Sequence, residues 1–343
     1  MVDHVEFVIG GRAIPPGKTV RLELPMPSLY NDSEVNMPVQ IIRGRKPGPT
    51  LFVSAAVHGD ELNGIEIIRR LVNSKSLKVK SGTLLLVPMV NVYGVLNKSR
   101  YTPDRRDLNR SFPGSKKGAL ASRIAEKFLT EIVEKCDYGI DLHTGAVHRS
   151  NLPQIRADLS CKETLALAEA FNVPVMLNAN LRDNSLRESA VNEGLKILLY
   201  EAGEALRMDE LSIRAGLRGV LNVLSYLGVI SRKYRPPKTK PFIANKSAWV
   251  RANGSGIVRN VKSLGDKVEK GDVLAEIGDV FGQDVVRINA DRSGVVIGQQ
   301  NIPLTLEGDA MFHIAFFSDD EKDVVENIEA MQENLLPIEP LIS

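Results

Sequence analysis

This 343-residue sequence has little cysteine and no excess of charge of one sign. Its two cysteines, Cys136 and Cys161, form neither a disulfide framework nor a Cys-rich metal site, which favours two plain thiols in a reducing cytoplasm. The 44 Lys and Arg residues nearly balance the 42 Asp and Glu residues, for a net charge of +2. Because nucleic-acid binders usually carry a clustered basic excess, this balance argues against a broad phosphate-binding surface.

Signals for membrane insertion or export are missing from the sequence as well. No stretch approaches the uncharged apolar run of about 20 residues that a membrane-spanning helix requires. The first residues carry Asp3, His4 and Glu6 where a signal peptide has a basic start and an apolar run. We therefore expect a cytoplasmic protein whose 43% hydrophobic content fills the core of a globular fold.

The middle of the chain alternates between two kinds of apolar pattern. Near-continuous apolar runs, LFVSAAV (51–57) and TLLLVPMV (83–90), are typical of strands covered on both faces. After the first run, Leu62, Ile65 and Ile68 recur at the spacing of a helix. The same alternation continues with strands at 138–143, 173–179 and 196–203 and helices at 161–171 and about 208–229. It predicts an α/β fold with a mostly parallel or mixed sheet flanked by helices.

Changes in composition predict five segments along the chain. Gly and Pro break the first strands, and the proline-rich YRPPKTKP (234–241) follows the last helix of the α/β pattern. The expected segments are an N-terminal β-rich part (1–48), the catalytic domain (49–235), a linker (236–248), a small all-β domain (249–317) and a C-terminal helical tail (318–343).

The expected all-β domain contains a short internal repeat. VRANGSGIV (250–258) is similar to VRINADRSGVV (286–296), and each copy later reaches a Gly-Asp turn. Two such half-repeats resemble a biotinyl/lipoyl-type barrel-sandwich. The lysine that carrier domains modify would lie in the turn between the halves, and GDVFGQDVV (278–286) has none. We therefore expect a structural or lid role for this domain.

The segment AAVHGDELNG (55–64) lies where a predicted buried strand ends and a helix begins. Ligands of open α/β sheets bind just beyond the carboxyl ends of the strands. The spacing His58-x-x-Glu61 can direct an imidazole and a carboxylate at one cation, and Zn²⁺ accepts both. Taken alone, the pair is equally typical of a polar turn followed by an acidic helix N-terminus.

Two further predicted strands also carry a candidate site residue near their carboxyl end. His143 ends YGIDLH, and Asp141 lies two residues earlier on the same face of the strand, where it either orients the imidazole or simply faces polar neighbours. Glu201 ends KILLYEAG in the corresponding position. Two histidines and a carboxylate form a catalytic zinc site with one open position, which leaves the second carboxylate free as a base. The four residues together predict a metal site.

Between these motifs lies RYTPDRRDLNRSFPG (100–114), a loop with four arginines and Asn109. Arginines beside a zinc site can hold a substrate carboxylate and polarise a carbonyl oxygen. By composition alone the loop is more typical of a solvated basic segment.

In this order, the four motifs resemble the succinylglutamate desuccinylase/aspartoacylase family, a branch of the zinc carboxypeptidase-like hydrolases. The motifs that carry the resemblance, which extends over about residues 45–230, are AAVHGDELNG, RDLNRSFPG, DLHTG and YEAGE. The resemblance implies one zinc ion per chain, held by His58, Glu61 and His143. It also implies that Glu201, in its E-x-G context, is the general base that acts with metal-activated water.

The resemblance gives roles to the arginine-rich loop as well. Asn109 and Arg110 match the Asn-Arg pair that holds the substrate's carboxylate. An upstream arginine polarises the scissile carbonyl in the family. Arg100 matches it by the following tyrosine but has two extra residues before DLNR, so Arg105 or Arg106 are alternatives, and Arg105 is also a candidate for substrate binding. A tyrosine that several relatives contribute from the C-terminal region is missing after Pro237.

Residues after the His143 turn are secondary candidates. His148, Arg149, Asn151 and Arg156 are candidates for the acyl-side pocket, and the polarity of a loop explains them equally well. Trp249 is expected in the core or at an interface.

The leading hypothesis is hydrolysis of the amide bond of an N-acyl amino acid. The alternative with the same chemistry is a zinc metallocarboxypeptidase that acts on short peptides. A non-catalytic scaffold would be indicated by a missing base or a broken ligand set, but every matched position carries a competent residue. The expected partner is a small carboxylate-bearing N-acyl amino acid, with no nucleic acid and no membrane, and a homo-oligomer is left open.

Overall fold

A computed structural model describes residues 6–236 and 241–316. The strands are β1 (Val8–Ile9), β2 (Arg12–Ala13), β3 (Thr19–Met26), β4 (Val35–Arg43), β5 (Lys46–Ala55), β6 (Ser81–Val87), β7 (Tyr138–Gly145), β8 (Arg149–Ala157), β9 (Val175–Asn178), β10 (Lys196–Glu204), β11 (Phe242–Ala244), β12 (Lys246–Arg251), β13 (Gly256–Asn260), β14 (Lys267–Val268), β15 (Val273–Gly278), β16 (Val286–Asn289), β17 (Gly294–Gln300), β18 (Leu304–Thr305) and β19 (Ala310–Phe316). The α-helices are α1 (Asn63–Asn73), α2 (Val92–Asn97), α3 (Leu120–Glu131), α4 (Lys162–Phe171), α5 (Leu186–Asn192) and α6 (Glu210–Tyr226). Short 3₁₀ helices span Leu108–Arg110 and Val133–Lys135.

One large mixed sheet forms the centre of the molecule. Its main strand order is β12-β19-β17-β8-β10-β7-β5-β6-β4-β3, with β9 and β11 beside β8 and β14 beside β17. The four strands β6, β5, β7 and β10 run parallel, whereas β4 and β8 are antiparallel to their neighbours in this group. The predicted α/β class, with a C-terminal all-β region, is therefore confirmed.

Helices cover both faces of the parallel strands, as the apolar runs predict. Along β5, Leu51 and Val53 face a core shared with α1, α4 and α6. Phe52, between them, faces a second core shared with α3 and α5. Because successive side chains of a strand point to opposite faces, a continuous apolar run is needed to fill both cores.

Helix α1 packs directly on the parallel strands and thereby fixes the segment before it. It buries Ile67, Ile68 and Leu71 against the sheet. A Cβ atom at Gly64 would lie 2.8 Å from the Cβ of Leu142 in β7, so only glycine permits this close approach. The turn that carries His58 and Glu61 is consequently held against the ends of β5 and β7.

The C-terminal all-β region continues the central sheet. Strand β17 pairs antiparallel with β8, with Gly298 opposite Asn151, and β19 and β12 extend the sheet from there. A separate four-stranded sheet has the order β16-β15-β13-β18. The range expected as a linker contains β11, which runs parallel to β9. The predicted C-terminal helix (318–343) and His4 lie outside the described residues.

No described helix has the length and apolar character needed to cross a membrane. The expected cytoplasmic location stays a prediction, and the oligomeric state stays open.

Candidate active site

The carboxyl ends of three neighbouring parallel strands bring the predicted site residues together. His143 lies in β7 and is paired in register with Glu201 of β10. His58 follows β5, and Ala56 between them has a positive φ of 53°, which turns the chain out of the strand. A pocket of about 250 Å³ opens at this edge of the sheet and is lined by His58, Glu61, His143 and Glu201.

His58, Glu61 and His143 form a buried cluster at the base of the pocket. Their exposed fractions are 4%, 2% and 4%. One ligand atom from each residue lies within 4.8 Å of the others. The two Glu61 oxygens contact the two imidazoles, Oε1 at 2.7 Å from Nδ1 of His58 and Oε2 at 2.8 Å from Nδ1 of His143. The backbone N–H of Thr144 also donates to Oε2 of Glu61, at 3.1 Å.

Each imidazole contacts a further carboxylate with its other nitrogen. Nε2 of His143 lies 2.6 Å from Asp141, which also accepts a bond from the Ser54 hydroxyl at 2.7 Å. Nε2 of His58 lies 3.1 Å from Asp107. This arrangement fixes the ring orientation and directs both Nδ1 atoms at Glu61. Asp141 was expected in this place, whereas Asp107 was missed, although it stands two residues before Asn109 in the same motif.

The opposite charges within and around the cluster counteract the effect of burial on the pKa values of its residues. Burial by itself raises the pKa of Glu61, but the charges of His58 and His143 outweigh burial and hold that pKa well below its usual range. Burial lowers the pKa of His143, and the Asp141 and Glu61 charges reverse this and raise the pKa well above its usual value. The pKa of His58 is raised in the same way, by Glu61 and Asp107 against the effect of burial.

The structure distinguishes between the three arginines that were candidates for polarising the scissile carbonyl. Arg100 lines the pocket, contacting Glu61 at 3.4 Å and Asp107 at 2.9 Å. Arg105 and Arg106 are exposed and do not line it. Neither therefore lies beside the cluster of His58, Glu61 and His143, and Arg105 is not brought together with the other predicted substrate-binding residues.

Asn109 and Arg110 occupy a 3₁₀ helix on the pocket wall. The Asp107 side chain accepts the backbone N–H of Asn109 at 2.9 Å and so caps this helix. Oδ1 of Asn109 accepts the backbone N–H of Leu186 at 2.9 Å. Burial, and then the charges of Arg182 and Arg100, lower the pKa of Arg110. A substrate carboxylate beside the guanidinium would counteract this effect.

Glu201 stands on the opposite wall and is held by two side chains of β8. Asn151 donates to its Oε2 at 2.5 Å, and Nε of Arg156 lies 3.8 Å from its Oε1. The polarity of a loop was the alternative explanation for Asn151 and Arg156, but both lie in β8 and line the pocket. His148 does not line the pocket; its backbone N–H donates to Glu204.

The pocket wall carries more arginine than the sequence suggested. Arg149, Arg156, Arg182 and Arg187 line it in addition to Arg100 and Arg110. Trp249, expected in the core or at an interface, also lines the pocket, with the Arg149 guanidinium 5.1 Å from its ring centre. Sequence reasoning missed Arg182, which lies in the polar segment between β9 and α5, and Arg187, which lies in the first turn of α5.

Comparison with known proteins identifies the family of the chain. The model of the succinylglutamate desuccinylase/aspartoacylase catalytic domain matches residues 47–227. The chain therefore belongs to this family, whose hydrolases act on N-acyl amino acids. The predicted family is thereby confirmed.

Individual relatives cover most of the chain. N-alpha-acetyl-L-2,4-diaminobutyric acid deacetylase of Halomonas elongata is 28% identical over 294 residues, which are 82% of this chain and 86% of that protein. The product-bound structure of the ectoine utilization protein EutE (DoeB) from Ruegeria pomeroyi has a TM-score of 0.79 at 26% identity, covering 89% of this chain and 97% of its own. A succinylglutamate desuccinylase/aspartoacylase structure from Rhodobacter sphaeroides has a TM-score of 0.77 at 26% identity, covering 88% and 96%.

Proposed function

We propose that this protein is a zinc-dependent amidohydrolase that removes the acyl group from an N-acyl amino acid. One observation carries the proposal: a buried His58, Glu61 and His143 cluster shares a pocket with Glu201 and with the Asn109-Arg110 pair. A ligand set, a base and a carboxylate clamp thus face one small space, as amide hydrolysis of a carboxylate-bearing substrate requires.

The residues of the cluster suit one zinc ion. Two imidazoles and a carboxylate are the ligand set of many catalytic zinc sites. The carboxylates of Asp107 and Asp141 behind the rings would hold each ring with its Nδ1 directed inward. When bound, zinc supplies a Lewis acid that polarises the substrate carbonyl and lowers the pKa of water toward about 7.

Glu201 acts as the general base and then as the general acid. It takes the proton of the attacking water and returns it to the leaving amine. The bond from Asn151 to its Oε2 fixes the carboxylate's orientation and leaves Oε1 turned toward Arg156. An oriented carboxylate is effective because proton transfer requires hydrogen-bond distance to the reacting atom.

Three residues position the substrate and stabilise the developing charge. Arg110, with Asn109 beside it, binds the substrate's carboxylate. Arg100, between Glu61 and Asp107, stabilises the negative oxygen that forms on the scissile carbonyl. Its own two acidic neighbours hold the guanidinium in place, so little reorganisation is needed during the reaction.

The carboxypeptidase alternative uses the same groups and differs in the space available. A pocket of about 250 Å³ suits a small acyl group better than an extended peptide. Assays on N-acyl amino acids and on short peptides distinguish the two functions. Turnover of peptides alone would favour the carboxypeptidase over the amidohydrolase.

The general base is tested with Glu201→Gln. We expect the variant to bind one zinc per chain by elemental analysis, while kcat falls about 10²–10⁴-fold because the amide cannot accept a proton. Glu204→Gln is the matched control: it removes the same charge from the same strand, and Glu204 lies outside the pocket lining, where it bonds His148 and Asn301. Near wild-type turnover of Glu201→Gln would refute the assignment.

A further inference from the structure

Strand β10 loses its regular pairing directly after Glu201. Its register shifts between Glu201 and Glu204 where it pairs with β7, and between Glu201 and Gly203 where it pairs with β8. Gly203 has a positive φ of 72°, a conformation that residues other than glycine rarely adopt. Because an irregular strand end has fewer ladder hydrogen bonds to hold it, the position of Glu201 depends on contacts from elsewhere in the fold.

The Asn63 side chain contacts the chain at both ends of the connection between β10 and α6. Its Nδ2 donates to the backbone carbonyl of Ala202 at 3.2 Å, and its Oδ1 accepts the backbone N–H of Asp209 at 3.0 Å. Asn63 is 1% exposed, and a Cβ atom on Gly203 would lie 2.6 Å from its Nδ2. The connection therefore encloses the amide, and glycine at position 203 leaves the room that the amide occupies.

Asn63 also belongs to the turn that carries the proposed metal ligands. It is the first residue of α1 and lies two positions after Glu61. Both hydrogen bonds of its amide go to the β10–α6 connection rather than to its own helix. In the same turn, the backbone carbonyl of Asp60 accepts the N–H of Leu206 at 2.8 Å. The turn and the strand end of Glu201 are thus joined by hydrogen bonds, mainly through Asn63.

We propose that Asn63 is a positioning residue that fixes Glu201 relative to the proposed metal ligands. This inference rests on the proposed function, in which Glu201 takes and returns a proton. Asn63 does not line the pocket and acts through the backbone carbonyl of Ala202, the residue next to Glu201. Proton transfer requires hydrogen-bond distance, and a displacement of about 1 Å can lower a rate about 10²-fold. A fixed strand end therefore serves the reaction directly.

The variant Asn63→Ala tests the proposal because it removes both hydrogen bonds and places a good helix former in α1. The assay uses N-succinylglutamate and N-acetyl-diaminobutyrate, after which relatives are named. For the one that the wild-type protein hydrolyses faster, we expect kcat to fall about 10–100-fold and KM to change less than about threefold. Elemental analysis should still find one zinc per chain. An unchanged kcat, or loss of the zinc, would overturn the proposal.

Ser225→Ala is the control for a merely structural role. Ser225 lies near the end of α6, is 6% exposed and donates to the backbone carbonyl of Arg232 at 2.6 Å. This variant therefore also loses a hydrogen bond of a buried side chain. We expect both variants to unfold at a lower urea concentration than the wild type, and Asn63→Ala alone to lose kcat. An equal loss of kcat in the two variants would indicate destabilisation and would overturn the proposal.

Gly203→Ala acts on the same amide from the other side. The added methyl would displace Nδ2 of Asn63 from the carbonyl of Ala202, so we expect kcat to fall about tenfold. In the Asn63→Ala background the methyl meets no amide, and the second substitution should cost less than it does in the wild type. Effects of the two substitutions that simply multiply would overturn the proposal.

Hydrogen–deuterium exchange distinguishes failure of this inference from failure of the proposed function. In Asn63→Ala the backbone N–H of Asp209 loses its acceptor, so we expect that amide to exchange about tenfold faster than in the wild type. If Glu201→Gln keeps full turnover, the base assignment fails, but the exchange still reports whether Asn63 holds the connection. Unchanged exchange over residues 202–209 would overturn the proposal independently of any activity.

Discussion

Asp107, which the sequence reasoning missed, contacts several of the proposed catalytic groups. Its carboxylate contacts Nε2 of His58 and the guanidinium of Arg100, and it caps the 3₁₀ helix that carries Asn109. The opposing charges of His58 and Arg100 overcome the effect of burial and keep the pKa of Asp107 well below its usual range. One short side chain thus orients a proposed zinc ligand, the proposed oxyanion donor and the carboxylate clamp.

Replacing Asp107 by Asn should weaken metal binding while leaving the fold intact. We expect zinc affinity to fall about 10–100-fold, since carboxylates behind ligating histidines contribute about that much. Chelator competition measures the affinity. Asp104→Asn provides the control, because Asp104 lies in the same loop and bonds Thr102 instead. Unaltered affinity in Asp107→Asn would show that His58 does not need this partner.

His313 makes stability depend on pH. Burial, followed by the charges of Arg156 and Arg182, lowers its pKa from 6.5 to about 3. Between these values the unfolded chain binds a proton that the folded protein does not, so the free energy of unfolding falls as pH drops below about 6.5. For this one group the loss between pH of about 7.5 and about 5 is about 2 kcal/mol.

The variant His313→Gln should lose that part of the pH dependence. Urea unfolding of both proteins at the two pH values gives the free energies of unfolding. We expect the difference between variant and wild type to shift by about 2 kcal/mol in favour of the variant at the lower pH. A parallel pH dependence in the two proteins would contradict a neutral, buried His313.

Among the elements, strand β17 connects the C-terminal β region to the wall of the catalytic pocket that carries Glu201. Gly298 of β17 lies opposite Asn151 of β8, whose side chain holds Glu201. A Cβ atom at position 298 would lie 3.0 Å from Oδ1 of Asn151 and 3.0 Å from Cβ of His313. Glycine at this position therefore gives the Asn151 side chain the room to reach Glu201.

Gly298→Ala should lower kcat more than it changes KM. The added methyl presses on Asn151, so the Glu201 carboxylate loses its fixed orientation and the acid limb of the kcat–pH profile shifts. We expect a drop in kcat of about tenfold. Gly254→Ala is the control in the same region, where a Cβ would lie 3.7 Å from Val286. If Gly298→Ala folds normally by circular dichroism and keeps both kcat and its pH profile, Gly298 does not act on Glu201 through Asn151.

At the scale of the whole molecule, a nearly neutral chain concentrates positive charge at one place. The net charge is +2, yet six arginines line the catalytic pocket, and among the described residues only Glu61 and Glu201 are its acidic members. Fields inside a cleft depend on the groups that face it and on the low dielectric of its walls. A balanced composition therefore excludes a broad basic surface but not a cationic pocket.

The local features of this protein could be predicted from its sequence alone. Apolar runs predicted the two-faced strands because burial on both sides demands apolar residues at every position, as Leu51, Phe52 and Val53 show. The motifs at the strand ends were sufficient to recognise the family, because they are short segments that occur in a fixed order. His58, Glu61 and His143 were likewise foreseeable as neighbours, since parallel strands end at one edge.

Which residues from distant parts of the chain share the site depends on the three-dimensional packing. Arg100, Arg105 and Arg106 are the same type of residue in one loop. Only the path of the loop brings Arg100 to the pocket. The pairing of β17 with β8, about 150 residues apart, joins Gly298 to Asn151. Trp249 of β12 stacks on His313 of β19 with ring centres 4.8 Å apart and reaches the catalytic pocket. Such contacts follow from strand register and packing over long separations, which no local periodicity records.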